Sequence, residues 1–510
     1  MAGLLSVGGH HTVYADATDQ PRFVVPDGCV VEKIAGQPLV NYPLFACFDD
    51  QGRLYVAEGT GLNAPGEEIV EKKLGRITRL EDTDGDGQFD ESIVFADELV
   101  FPQGVLWHDG VVYTASHPNI WRLEDTDGDG RADRREVLVG KFGFNGNGCD
   151  IHGPFLGPDG YLYMAEGRHG HDIQCPDGRH LKGLAARIFR FRTDGTRIER
   201  LAGGGFDNPV ELVFTSAGEM IGTMDQWEGD QLLHYVEGGV YPQVEHPCVK
   251  ELVDTGPPLG SIHGFSVAVP VALCGIERIR TPHFGPQHVG TLLTAQFNVH
   301  RLQQHTLTRD GATYRGSEKD FLATLNHDVH PTDVLEDADG SLLMIDMGAW
   351  FNFGCPTSKI AKPEVKGVIY RIRRKDAPVL KDPWGKSLQW NSMSAEQLVD
   401  LLDDPRLKVR DKAMARLARR GEEAVPALAK AVQAGGSQPL AKRRNALWTL
   451  SRISHDDARA AVRSALGCEN NILRHVALHA VALERNANAL SALASIVVSD
   501  EPALRLKAAE

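Results

Sequence analysis

The feature that most limits how this chain can fold is a hairpin written six times. Each copy is a polar loop, a short apolar strand, a tight turn, a second strand and a polar exit. The copies lie at 41–59, 100–117, 150–172, 207–226, 274–298 and 329–348. Matching positions recur roughly every 50 to 65 residues, the size of a four-stranded propeller blade with its loops. The sharpest copy centres on a Pro158-Asp159-Gly160 turn, in which Pro presets φ and Gly supplies φ > 0. Such a repeat predicts a six-bladed β-propeller over residues 21–376. The early strand CVVEKIA at 29–35 is placed to pair beside GVIYRIRR at 367–374, closing the ring and removing its sheet edges.

Entry and exit of a hairpin lie at one end, so the polar groups there gather on one face. In the third copy these are Asp150 and His152 on entry, and Glu166, Arg168, His169 and His171 on exit. Asn208, Asp225, Asn298, His300, His330 and Asp346 map to the same face, as do the aromatic loop residues Trp227, Trp350, Phe351 and Phe353. A neutral His near its ordinary pKa is a competent general base. His152 is therefore the candidate base, Asp150 or Glu166 its orienting carboxylate, and Arg168 a clamp on developing charge. His169, Asn298, His300 and His330 complete the candidate catalytic set. Non-redox lyase or hydrolase chemistry suits the same groups. So does a divalent metal held by some of His152, His169, His300 and His330 with Asp225 or Asp346. A third reading is a glycan-binding scaffold, with aromatic rings stacking on sugar faces. A disulfide between two of Cys149, Cys175 and Cys355 is expected to pin a lid.

Two acidic loops carry a different chemistry. The segment 125–136, DTDGDGRADRRE, has EF-hand-like spacing, with Asp125, Asp127, Asp129, Arg131 (through its carbonyl), Asp133 and Glu136 at ligand positions. The copy at 82–93 offers Asp82, Asp84, Asp86, Gln88 and Asp90, with Ile93 last. Both predict structural calcium, on turns facing away from the histidines.

After a linker at 377–391 the pattern turns helical. Residues 392–510 resemble HEAT repeats, notably Asp404 to Leu417 with the spacing D-P-x-x-x-V-R-x-x-A-x-x-x-L. Such an array suggests a docking module for a protein partner, continuing past the last residue. Residues 1–20 read as a leader or a disordered start. Formal net charge is −15, which disfavours nucleic acid and anionic membranes as partners. No apolar run is long enough to span a bilayer. Eight cysteines contain no CxxC pair, so a zinc ribbon is not expected. A periplasmic or secreted location is expected.

Together, HGPFLGPDGYLYMAEG, the DTDGDG turns, the closing GVIYRIRR and the helical tail resemble bacterial proteins classed as membrane-bound dehydrogenases. These join a propeller related to soluble quinoprotein glucose and sorbosone dehydrogenases to α-repeats. The resemblance covers nearly the whole chain. It implies a sugar oxidoreductase, an aldose or sorbosone substrate and pyrroloquinoline quinone, with Arg168, Arg301 and Trp350 as cofactor contacts. It also implies a proton-accepting His at the hairpin entry; His152 lies three residues closer to the GPDG turn than that pattern has it. The CxxCH haem motif of such proteins does not occur in this sequence, and obvious cations for the quinone carboxylates are few: Arg168, Arg301, Lys359 and Lys362.

Overall fold

The computed structural model describes residues 11–13, 21–204, 207–226, 229–241, 251, 259–265, 271–351, 361–433 and 435–510. Six antiparallel blades form in chain order, each opened by one predicted hairpin; five are four-stranded sheets and blade 5 is part of a six-stranded one. Blade 1 is Pro43–Phe48, Leu54–Glu58, Gly75–Glu81 and Glu91–Leu99; blade 2 spans Val105–His108 to Arg134–Gly140. Blade 3 is Ile151–Leu156, Leu162–Glu166, Arg187–Phe191 and Glu199–Gly203. Blade 4 begins at Asn208–Phe214, blade 5 at Leu273–Arg278 and blade 6 at Pro331–Glu336. The ring closes as the sequence implies: Cys29–Ala35 pairs with Val368–Arg374 in the register Arg374↔Cys29 to Ile369↔Ala35. A further strand, Phe23–Pro26, adds to the outer edge of blade 5.

The innermost strands pack on one another in sequence around the axis. In five blades their pairing carries a bulge, as between His152 and Phe155. A bulge releases a backbone N–H from the ladder, and a buried N–H must find another acceptor. The neighbouring blade supplies it. Ala46 N donates to Asp333 Oδ2 at 2.9 Å, Ile276 N to Glu211 Oε2 at 2.7 Å, and Gly153 N to Gln103 O at 3.1 Å. Asp333 and Glu211 are therefore stitches between inner strands.

Residues 395–509 are all α, with eight α-helices among the described residues. They share one apolar core containing Leu398, Leu417, Leu428, Leu447 and Val476. This domain sits across the turns joining the first and second strands of the blades. Lys412 Nζ meets Asp50 at 2.9 Å, and Arg419 pairs with Asp109. Arg452 Nη2 donates to Pro158 O at 2.8 Å, and Trp448 Nε1 to Ser216 O at 3.4 Å. Asp411 pairs with Arg280 at 3.2 Å. Five blades are gripped, on the face opposite the hairpin entries. Trp448 is thus a buried contact between the domains rather than part of a helix interior alone. Among the described residues no helix is long and apolar enough to cross a membrane.

Candidate functional site

Blade 3 carries the centre of the site. His152 is buried, and its Nε2 lies 3.0 Å from both Gly148 O and Asn208 Oδ1. Asn208 opens blade 4 and donates through Nδ2 to Asp225 Oδ2 at 3.3 Å. That bond turns the amide oxygen toward the imidazole. Both groups around Nε2 are then acceptors, so Nε2 carries the proton. Nδ1 is left with a bare lone pair, and it makes no hydrogen bond. Burial pushes the His152 imidazole down to about 4, so the ring is neutral at pH 7.

Asp150 accepts a hydrogen bond from Asn145 N at 3.0 Å, and His169 Nε2 approaches its Oδ1 at 3.8 Å. Burial lifts its carboxyl to about 7. Its Oδ2 and the Nδ1 of His117 are likewise buried without a hydrogen bond. The His117 ring stacks on Phe144 with centroids 4.4 Å apart, and burial holds it down at about 4. Cys149 lies among Asp225, Asp207, Asp150 and Arg168; burial, then the nearby aspartates, push its thiol well up, so it is protonated. A buried polar atom left without a partner calls for an explanation, and a ligand or ordered water that completes the bonding is one.

Several expectations change. Glu166 does not orient His152: both its oxygens lie 2.9 Å from His171 Nδ1. The His171 ring packs edge-on to Phe189, and burial raises Glu166 to about 7. The pair ties the inserted hairpin His171–Gln174/His180–Gly183 to blade 3. The orienting group of His152 is Asn208, which the sequence places on the right face but marks only by an Asn-Pro strand start. Arg168 is ion-paired with Asp207 at 2.8 Å, and Arg301 with Asp320 at 3.0 Å. Trp350 is 1 % exposed, packed with Tyr42, Leu44 and Met347, and is a core residue rather than a stacking platform. Cys149 and Cys175 are free thiols, so no disulfide joins them. Trp227, Phe353, Cys355 and Lys359 lie outside the described residues.

On the far side of the ring, His300 follows the turn Phe297–Val299, in which Asn298 N donates to Val271 O at 3.0 Å. His330 opens the approach to blade 6, with its ring centroid 5.1 Å from that of His300. The expected metal set of His152, His169, His300 and His330 does not assemble. Among the described residues, only Asp82, Asp84 and Asp90, and Asp125, Asp127 and Asp129, bring three donor atoms within 4.8 Å of one another. In both loops backbone N–H groups cap the carboxylates, as with Gly85 N to Asp82 Oδ1 at 2.8 Å and Gly128 N to Asp125 Oδ1 at 2.7 Å. Gln88 N and Arg131 N bond Asp86 and Asp129, and Thr83 and Thr126 bond Asp90 and Asp133. Glu136 is not part of the second loop. It lies in the strand Arg134–Gly140 and pairs with Arg134 at 2.6 Å and Arg122 at 3.2 Å.

The fold and site define a six-bladed β-propeller with a polar axial face, backed by an all-α domain. The chain belongs to the DUF7133 family, described as a domain of unknown function, whose model matches residues 17–376. No curated protein matches it. Among solved structures it is similar to a Thermus thermophilus protein described as an oxidoreductase (glucose dehydrogenase), at 18% identity and a TM-score of 0.46, over 68% of this chain and 100% of that one. It is also similar to the PQQ-bound aldose sugar dehydrogenase of Streptomyces coelicolor, at 16% identity and 0.44, over 68% and 100%. A third is the PQQ domain of pyranose dehydrogenase from Coprinopsis cinerea, at 14% identity and 0.45, over 70% and 98%.

Pyrroloquinoline quinone carries three carboxylates and needs cations to hold them. Among the described residues, the obvious cations on this face are already paired: Arg168 with Asp207, Arg301 with Asp320, and Lys362 with Asp328 at 2.5 Å. Among the described residues this donor set does not fit the quinone's carboxylates.

Proposed function

We propose that this face is the active site of a carbohydrate-directed enzyme in which neutral His152 is the general base toward a sugar hydroxyl. The observation that carries it is the chain Asp225–Asn208–His152, which pins the proton on Nε2 and leaves Nδ1 bare. When Nδ1 takes the hydroxyl proton, the resulting imidazolium keeps Gly148 O and Asn208 Oδ1 as acceptors for Nε2–H. Asp150 Oδ2 and His117 Nδ1 are further buried atoms on this face without a hydrogen bond, and would accept from additional hydroxyls that reach them. The same proton transfer begins a sugar-dehydrogenase-like oxidation, as the sequence resemblance implies, and a non-redox rearrangement or elimination. The paired state of Arg168, Arg301 and Lys362 favours the non-redox branch as the second reading.

Assay the purified chain on an aldose panel with a dye acceptor, with and without added quinone, and on uronate polymers by unsaturated-product absorbance. A turnover that His152→Ala abolishes while the melting temperature holds supports the reading. Turnover that survives His152→Ala unchanged sinks it.

A further inference from the structure

We infer that His300, His327 and His330 form a site for one late first-row divalent ion of the zinc class, at the junction of blades 5 and 6. The inference is independent of the His152 reading, which concerns blades 3 and 4. Its starting point is a separation. His300 Nε2 and His327 Nδ1 stand 3.2 Å apart. Two imidazoles on one tetrahedral ion, with Zn–N bonds of about 2.0–2.1 Å, place their nitrogens at about that spacing. The ring of His330 lies 5.1 Å from that of His300 at 75°, and the ring of His327 lies 5.1 Å from it at 82°.

The outward nitrogens decide which lone pairs are available. His300 Nδ1 donates to Val329 O at 2.7 Å, and His330 Nδ1 donates to Gly348 O at 2.8 Å. A backbone carbonyl on one ring nitrogen sets the tautomer and turns the other nitrogen into a ligand, the arrangement that supports metal-bound histidines. Both Nε2 atoms are thereby unprotonated. Phe297 packs on the His330 ring at 4.5 Å and holds its plane. Asp328, on the same loop as His327 and ion-paired with Lys362 at 2.5 Å, places a carboxylate near both buried rings. His300 itself sits at φ 54, a left-handed conformation that a side chain bears at some cost in strain.

The three donors do not yet lie within 4.8 Å of one another. His327 is the exposed member, and closing the set requires its ring to turn. In the metal-free protein its Nδ1–H donates to His300 Nε2. An ion replaces that proton, which moves to the other nitrogen of the same ring, so the site keeps its proton count. Three imidazoles suit zinc, copper, nickel or cobalt rather than calcium or magnesium, and they leave a coordination position for water or a substrate oxygen.

The test uses the full chain and cobalt(II) as the probe, with excess calcium present to fill oxygen-only sites. The expected result is saturable binding of one ion per chain, with the visible absorption bands of a nitrogen-ligated, low-coordinate cobalt centre, displaced by zinc. His327→Ala changes an exposed residue and is expected to fold. It should weaken binding by at least about tenfold, and His330→Gln should do the same. Absence of saturable binding overturns the inference. So does binding that His327→Ala and His330→Gln leave unchanged, which would mark an adventitious ion elsewhere.

Discussion

His152 Nε2 and Asn208 Oδ1 stand 3.0 Å apart across the seam between blades 3 and 4, although 56 residues separate them in the chain. The amide is oriented by Asp225, which opens no contact of its own to the ring. A base held by a neutral amide stays uncharged, whereas a carboxylate in that place would draw a proton onto it.

The first prediction follows from that difference. Asn208→Asp should raise the His152 pKa from about 4 toward the usual imidazole range, because it places a negative charge on Nε2–H. Nitrogen NMR of the histidines reads this directly. In the wild type His152 should show one tautomer, with Nε2 protonated at pH 7. A spectrum showing Nδ1 protonated would end the proposed role. Once a substrate is known, His152→Ala should reduce turnover by about 10² to 10⁴-fold.

The grip of the helical domain can be tested at Asp159. This buried carboxylate accepts from Tyr163 Oη at 2.7 Å and Tyr161 N at 3.0 Å, and meets His479 Nε2 at 2.9 Å. Asp159→Ala strands a buried imidazole and a buried phenol, and should cost about 3 kcal/mol or more. A lowered melting temperature, with the helical domain released to proteolysis first, is the expected outcome. An unchanged melt would mean that the contact carries no stability.

Two groups give stability opposite pH dependences. Burial holds His475, at the domain interface, at about 4, below its ordinary 6.5. A depressed base contributes stability that is present above pH 6.5 and lost as pH falls through 4. Glu211 and Asp333 are neighbouring carboxylates that repel each other when both are ionised. Burial and mutual repulsion hold Glu211 well above its usual range, and burial holds Asp333 at about 7. That contribution is present below pH 4 and lost as pH rises through 7. Relative to wild type, Glu211→Gln should therefore gain melting temperature as pH rises from 4 to 8. His475→Gln should gain as pH falls from 6.5 to 4. Parallel curves for both variants and the wild type would refute the assignment.

The acidic loops predict a calcium response. Their carboxylates already converge, with Asp82, Asp84 and Asp90 in one and Asp125, Asp127 and Asp129 in the other. Saturating calcium should stabilise the propeller by about 2 to 3 kcal/mol at a hundredfold excess over the dissociation constant. Asp82→Asn and Asp125→Asn should each reduce that gain, while Glu136→Gln should not, since Glu136 serves Arg134 and Arg122. A melt indifferent to calcium would show the loops to be capped turns only.

Local pattern alone determined the propeller, its six hairpins, the closure by Cys29–Ala35 and the helical tail, because period-two alternation and Pro-Asp-Gly turns act over a few residues. It also determined that His152, Asn208 and His330 share a face, since a hairpin's two ends are fixed by its own length. Which groups touch was decided only in three dimensions. Glu166 and Asp150 are both candidates to orient His152 from the sequence, yet Glu166 went to His171 and the imidazole to Asn208. Arg168 carries the look of a free clamp until Asp207 arrives from the next blade. Side-chain pairing across a seam depends on strand register and bulges to within an ångström, and a linear pattern does not encode that distance.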